Sequence, residues 1–153
     1  MISLVVFLAL CFAAAAVGGL SAAGGTNEWY SSIERPSWNP PDWVFGPVWT
    51  VLYAAIGVAA WLVWRRRGEF DVTPALAAWG VQLALNAAWT GLFFGLRRPG
   101  IAFIEILVLV AAVVMTTVLF ARISTAAGLL FAPYLVWVCF AAVLNGAIWE
   151  LNR

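Results

Sequence analysis

The chain has 153 residues, 65% of them hydrophobic and 10% charged, with a formal net charge of +1 and no histidine. A water-soluble domain of this length cannot hide so much apolar surface, so the solvent is a bilayer; the balanced charges form no basic stripe for nucleic acid. Without histidine or a cysteine cluster, structural zinc and His-ligated haem are excluded, and no metal site is expected.

Five apolar runs each come near the roughly 20 residues that a helix needs to cross a bilayer. They cover residues 2–23, 44–64, 74–96, 101–121 and 126–148. They are too long and too free of alternation for barrel strands. The fold class they predict is all-α: one domain, residues 1–153, built as an integral membrane bundle of five transmembrane helices. The first run imitates a secretory signal, with Ser21, Ala22 and Ala23 where cleavage would fall. It lacks a basic n-region and its apolar stretch is too long, so a retained helix is expected. Cys11 in the first run and Cys139 in the fifth are expected to be small packing residues.

The connections differ in kind. Residues 97–100 join the third and fourth spans and residues 122–125 the fourth and fifth, and links this short make antiparallel neighbours. Between the second and third spans, Thr73-Pro74 predicts an N-cap followed by proline at the first helical position. Four arginines fall on each side of the membrane, so the positive-inside rule gives no orientation. The segment 24–43 carries Trp29, Tyr30, Trp38, Pro36, Pro40 and Pro41. That composition predicts a stiff lid packed back onto the bundle, or an interfacial loop with its aromatics in the headgroup zone.

At about 100° per residue, Trp79, Gln82, Asn86, Trp89 and Phe93 of the third span share one face. Amides in hydrocarbon need partners, so that face is expected to point inward. Ala84, Ala87, Ala88, Gly91 and Gly95 lie opposite, a small-residue surface suited to close packing by a helix of the same chain or of a second copy. In the fifth span Tyr134, Trp137, Ala141, Asn145 and Ile148 align. In the second, Trp49, Tyr53, Ile56, Ala60 and Trp64 do. If the stripes converge, they enclose an aromatic-walled cavity; the alternative is a packed core in which Asn86 and Asn145 bond across helices. Glu105, about one turn inside the fourth span, is a functional candidate as an intramembrane carboxylate, or else snorkels or pairs with Arg97 or Arg98.

The order Trp29-Tyr30, then Arg35-Pro36-Ser37-Trp38-Asn39-Pro40-Pro41-Asp42-Trp43-Val44-Phe45-Gly46-Pro47-Val48-Trp49, with Thr50 to Tyr53 following, resembles the signature of the translocator protein family, the tryptophan-rich sensory proteins. Gln82 to Asn86, Trp89 and Phe93-Phe94-Gly95 resemble that family's third helix. Pro133-Tyr134-Leu135-Val136-Trp137, Leu144-Asn145 and Trp149 resemble its fifth. The resemblance implies a five-helix bundle whose cavity, closed by the first loop, binds porphyrins such as protoporphyrin IX or other hydrophobic aromatic ligands. It implies a homodimer through the third helix, and no cofactor beyond the ligand. Some similar bacterial proteins break down bound porphyrin in light; the two tryptophans implicated fall on Trp49 and Trp137, which would be catalytic only in that case. Tyr30, Asn86, Ala141 and Asn145 fall on pocket positions, and Glu105 on an acidic position of the fourth helix. The inward faces and the lid add Trp38, Tyr53 and Trp89 to the expected ligand-binding set. The sterol motif of some members is broken here: residues 143–150 contain no tyrosine, and Glu150 stands near the place of a basic residue. A sterol partner is therefore poorly supported.

Three functions follow as expectations: a porphyrin-binding sensor or translocator, a light-dependent porphyrin-degrading enzyme, and a ligand-free membrane scaffold.

Overall fold

The computed structural model describes residues 2–22 and 26–153. Ala23, Gly24 and Gly25, where the first predicted span ends and the predicted lid begins, lie outside the described residues. The described elements are all helical: α1 (Ile2–Ala22), α2 (Thr26–Ser32), α3 (Asp42–Arg65), α4 (Thr73–Thr90), α5 (Pro99–Ile123) and α6 (Thr125–Leu151). A π-helical turn, Gly91–Gly95, continues α4 without a break.

Among the described residues, four helices are long and apolar enough to cross a membrane, at Ile2–Leu20, Asp42–Arg65, Pro99–Ile123 and Thr125–Leu151. The third predicted span differs. Its α-helical part is 18 residues and carries Gln82 and Asn86, which lower its apolarity. The segment 24–43 is not loop throughout, because α2 supplies two turns of helix around Trp29 and Tyr30.

Local chemistry sets the helix ends. The Ser124 side chain accepts a hydrogen bond from the Ala127 N–H at 3.4 Å, capping α6. Pro99 opens α5, where its missing N–H leaves no intrahelical bond unmade. The start of α4 differs from the expected cap. Thr73 is already helical and Val72 is the N-cap; Asp71 Oδ1 receives the Thr73 N–H at 3.0 Å. Asp71 accordingly stays charged to lower pH than an ordinary aspartate, held by its hydrogen bonds to Thr73. At the other end, the Leu96 N–H reaches back five residues to Gly91 O at 2.8 Å. Arg97, at φ 54°, then turns the chain out of the helix.

The five long helices close into a ring, α1–α3–α6–α5–α4 and back to α1. Close approach at α1–α3 depends on Gly57, where a Cβ would stand 2.9 Å from a Leu8 methyl carbon and 3.2 Å from its Cα. The main core joins Ile56, Ala60 and Val63 of α3 to Val113 and Phe120 of α5 and Phe131 and Val138 of α6. A second cluster, nearer the lid, joins Tyr30 to Phe93, Ala102, Leu144 and Ile148. Outward apolar side chains such as Ile104, Leu129, Val136 and Val143 are exposed, as a lipid-facing surface requires.

The two faces of α4 separate as their periodicity predicts. Trp79, Gln82, Asn86 and Phe93 are buried. Ala84, Ala88 and Gly95 are exposed, and Ala87 and Gly91 are partly covered. Cys11 is buried, Cys139 is exposed, and both are free thiols.

Candidate functional site

Between the lid and the middle of the ring lies a cavity of about 380 Å³. Its size falls within the roughly 300–1,000 Å³ usual for small-molecule sites. The floor and one wall are aromatic because α3 and α6 each turn a stripe inward. Trp49 lies beside Tyr53, with ring centroids 5.5 Å apart, and meets Trp137 edge to face at 6.5 Å. Phe45 packs on the edge of Trp137 at 5.8 Å. Across the cavity Trp89 stacks on Phe93, 5.3 Å away.

The π turn matters here. A widened turn changes the angular phase of the residues within it, and both Phe93 and Phe94 reach the lid. Tyr30 meets Phe94 at 5.6 Å and Phe93 at 6.3 Å, and Trp29 meets Phe93 at 5.7 Å.

Most polar groups on the cavity wall are already engaged. Trp89 Nε1 donates to Asn145 Oδ1 at 3.0 Å, and Asn145 Nδ2 donates to Pro99 O at 2.8 Å. The Thr50 hydroxyl donates to Gly46 O and the Thr90 hydroxyl to Asn86 O. Tyr30 donates to Asn39 Oδ1 at 2.9 Å. Burial raises the Tyr30 phenol above its ordinary pKa, and the nearby Arg35 guanidinium partly offsets that. Such a wall selects by shape and aromatic surface more than by hydrogen bonds.

Beneath the floor runs a buried polar chain. Tyr53 donates to Asn86 Oδ1 at 2.6 Å, Asn86 Nδ2 donates to the Tyr134 oxygen at 3.0 Å, and Tyr134 donates to Gln82 Oε1 at 2.8 Å. Gln82 Nε2 ends the chain on Trp79 O at 3.0 Å. Three helices, α3, α4 and α6, are joined through one set of satisfied groups.

Of the residues expected to bind ligand, Tyr30, Trp49, Tyr53, Trp89, Trp137, Ala141 and Asn145 line the cavity. Two do not. Asn86 is 1% exposed and lies in the polar chain below, because its amide is held by the two tyrosines. Trp38 is 48% exposed and rests edge-on against Phe140, on the outer side of the Trp137 wall. Of the alternatives for Glu105, the hydrogen-bonded pair with Arg97 or Arg98 does not form; both its carboxylate oxygens are buried without a hydrogen-bond partner.

No inward stripe is expected on α1, yet Phe12, Ala15, Gly18 and Gly19 line the cavity. Their signal was the run Ala13 to Gly19, where small residues leave room beside a helix. A Cβ on Gly18 would stand 3.2 Å from the Thr90 hydroxyl, so α1 and α4 meet closely at that point.

Known proteins resemble the chain along nearly its whole length. It is 42% identical over 140 residues to the translocator protein of Homo sapiens, covering 90% of this chain and 82% of that one. It is 37% identical over 155 residues to the tryptophan-rich protein TspO of Chlorobaculum tepidum, covering 99% and 96%. To the tryptophan-rich sensory protein of Cereibacter sphaeroides it is 40% identical over 146 residues, covering 95% and 89%. The profile of the TspO/MBR family matches residues 7–150. With four apolar helices of membrane-crossing length, this is a multi-pass integral membrane protein, and the chain belongs to the TspO/MBR family.

Proposed function

We infer that the protein binds a porphyrin, a tetrapyrrole of the protoporphyrin IX kind, in the cavity beneath the lid and acts as a tryptophan-rich sensor or translocator. The observation that carries this reading is the convergence of Trp49, Trp89 and Trp137 on one cavity whose wall donors are largely engaged internally. A flat, mostly apolar ring system gains from that surface through stacking and burial. In this reading α4, extended by its π turn, is the fifth span, its amides sheltered in the bundle. The protein pairs with a second copy through Ala84, Ala88 and Gly95, with Ala87 and Gly91 at the seam. No metal or other cofactor is needed.

Titration with protoporphyrin IX, followed by tryptophan emission, tests the reading. Saturable quenching at a fixed stoichiometry is expected. Linear quenching equal to that of empty detergent micelles would remove the binding function and leave a membrane scaffold.

A second reading, light-driven porphyrin breakdown with dioxygen as oxidant, is favoured by one feature. Trp49 and Trp137 touch each other and both face the ligand space. Electron transfer from an indole to an excited porphyrin needs that proximity.

A further inference from the structure

Asn152 follows α6 and makes a bond pair that the cavity wall does not require. Its Oδ1 accepts the Glu34 N–H at 2.9 Å, and its Nδ2 donates to Glu34 O at 2.8 Å. The same Nδ2 donates to Ile148 O at 2.8 Å, which anchors the amide on the last turns of α6. One carboxamide therefore satisfies both backbone groups of a residue 118 positions away. Glu34 lies in the lid. Tyr30, four residues before it, lines the cavity; Arg35, next to it, pairs with Asp42 at the head of α3 at 3.1 Å. The carboxamide thus ties the lid across to α6, on the turn that carries the cavity residue Ile148. Both partners are exposed, so water competes for each bond and the pair opens easily.

We propose that Asn152 is a latch that positions the lid over the cavity, and that its release sets how fast ligand enters and leaves. This rests on the porphyrin-binding reading above. Asn152 is absent from the cavity lining, so it has no contact through which to favour the loaded over the empty form. Removing it is expected to speed association and dissociation together, leaving Kd nearly unchanged. A residue that walls the cavity would change Kd.

The test uses the full chain in lipid nanodiscs, with Asn152→Ala and Asn152→Asp. Hydrogen exchange over residues 30–35 is read without ligand, with exchange across α5 as the folding control. Protoporphyrin IX association and dissociation are read by stopped flow. In Asn152→Ala, lid exchange and both rates are expected to rise about tenfold while α5 protection holds, as the loss of two exposed hydrogen bonds implies. Asn152→Asp keeps the acceptor for Glu34 N–H but loses the donor to both Glu34 O and Ile148 O, so lid exchange is expected to rise in that variant too. Unchanged lid exchange in Asn152→Ala overturns the latch. A changed Kd with an unchanged association rate overturns its gating role. If the unmodified protein binds no porphyrin, the functional reading fails, and the exchange experiment alone decides whether Asn152 holds the lid.

Discussion

Trp49 and Trp137 meet edge to face across the α3–α6 seam, with ring centroids 6.5 Å apart and planes at 89°. Both line the cavity, so a flat ligand that stacks on one indole touches the edge of the other. Replacing either with phenylalanine keeps an apolar ring but removes the indole N–H and the more easily oxidised ring system. Porphyrin affinity is expected to fall by no more than about 1–2 kcal/mol in each single variant. If the pair donates electrons, light-driven loss of the porphyrin band collapses in the double phenylalanine variant while binding survives. An unchanged bleaching rate per bound porphyrin assigns the two tryptophans to binding alone.

The polar chain beneath the cavity is a stability element. Asn86→Leu strands the Tyr53 hydroxyl and removes the donor to Tyr134, both in a buried setting. A loss of about 1–3 kcal/mol is expected, the cost of unsatisfied buried groups. Because Asn86 does not line the cavity, porphyrin affinity is expected to change less than threefold, by the Kd scale of about 1.4 kcal/mol per decade. Thermal unfolding in detergent, set beside a binding titration, separates the two effects. A large affinity loss with unchanged stability would place Asn86 in the site.

Bulk on the outer face of α4 is expected to weaken self-association and leave binding nearly intact. Gly91→Leu and Gly95→Leu together add side chains to the π turn that continues α4, where Gly95 is exposed and Gly91 partly covered. Analytical ultracentrifugation in a density-matched detergent reads the oligomer, and fluorescence titration reads the site. A double variant that keeps its dimer but loses porphyrin would reverse the assignment of the two faces.

Tyr30 makes the lid sensitive to alkali. Its pKa is raised by burial, so the folded lid prefers the neutral phenol, which donates to Asn39. That contribution is present in full below the ordinary phenol value of 10.0 and is lost as pH rises through the higher folded value. Hydrogen exchange in the lid, corrected for its intrinsic pH dependence, is expected to accelerate across that window and in no other. Tyr30→Phe is expected to abolish the step; a step that persists in that variant belongs to another group.

The residues themselves determined the bilayer as solvent, the helical class and the inward faces of α3, α4 and α6. Those follow from composition and from a 3.6-residue period, which any helix built on this chain must obey. The small-residue face of α4 was legible for the same reason. The family signature around Arg35 to Tyr53 was legible because its order is long and linear. What needed the tertiary structure was the distribution of roles within each face. Asn86 and Asn145 both point inward, but only their neighbours decide that one bonds two tyrosines below the floor while the other sits on the wall. Trp38 carries the same aromatic signal as Trp49, and packing against Phe140 keeps it outside the cavity. The entry of α1 into the site depends on which helices close the ring, and a helix's own period carries no information about its neighbour. The tie between Asn152 and Glu34 joins residues 118 positions apart, and nothing local to either predicts the other. Periodicity fixes the direction in which a side chain points; only the packed bundle fixes what it meets there.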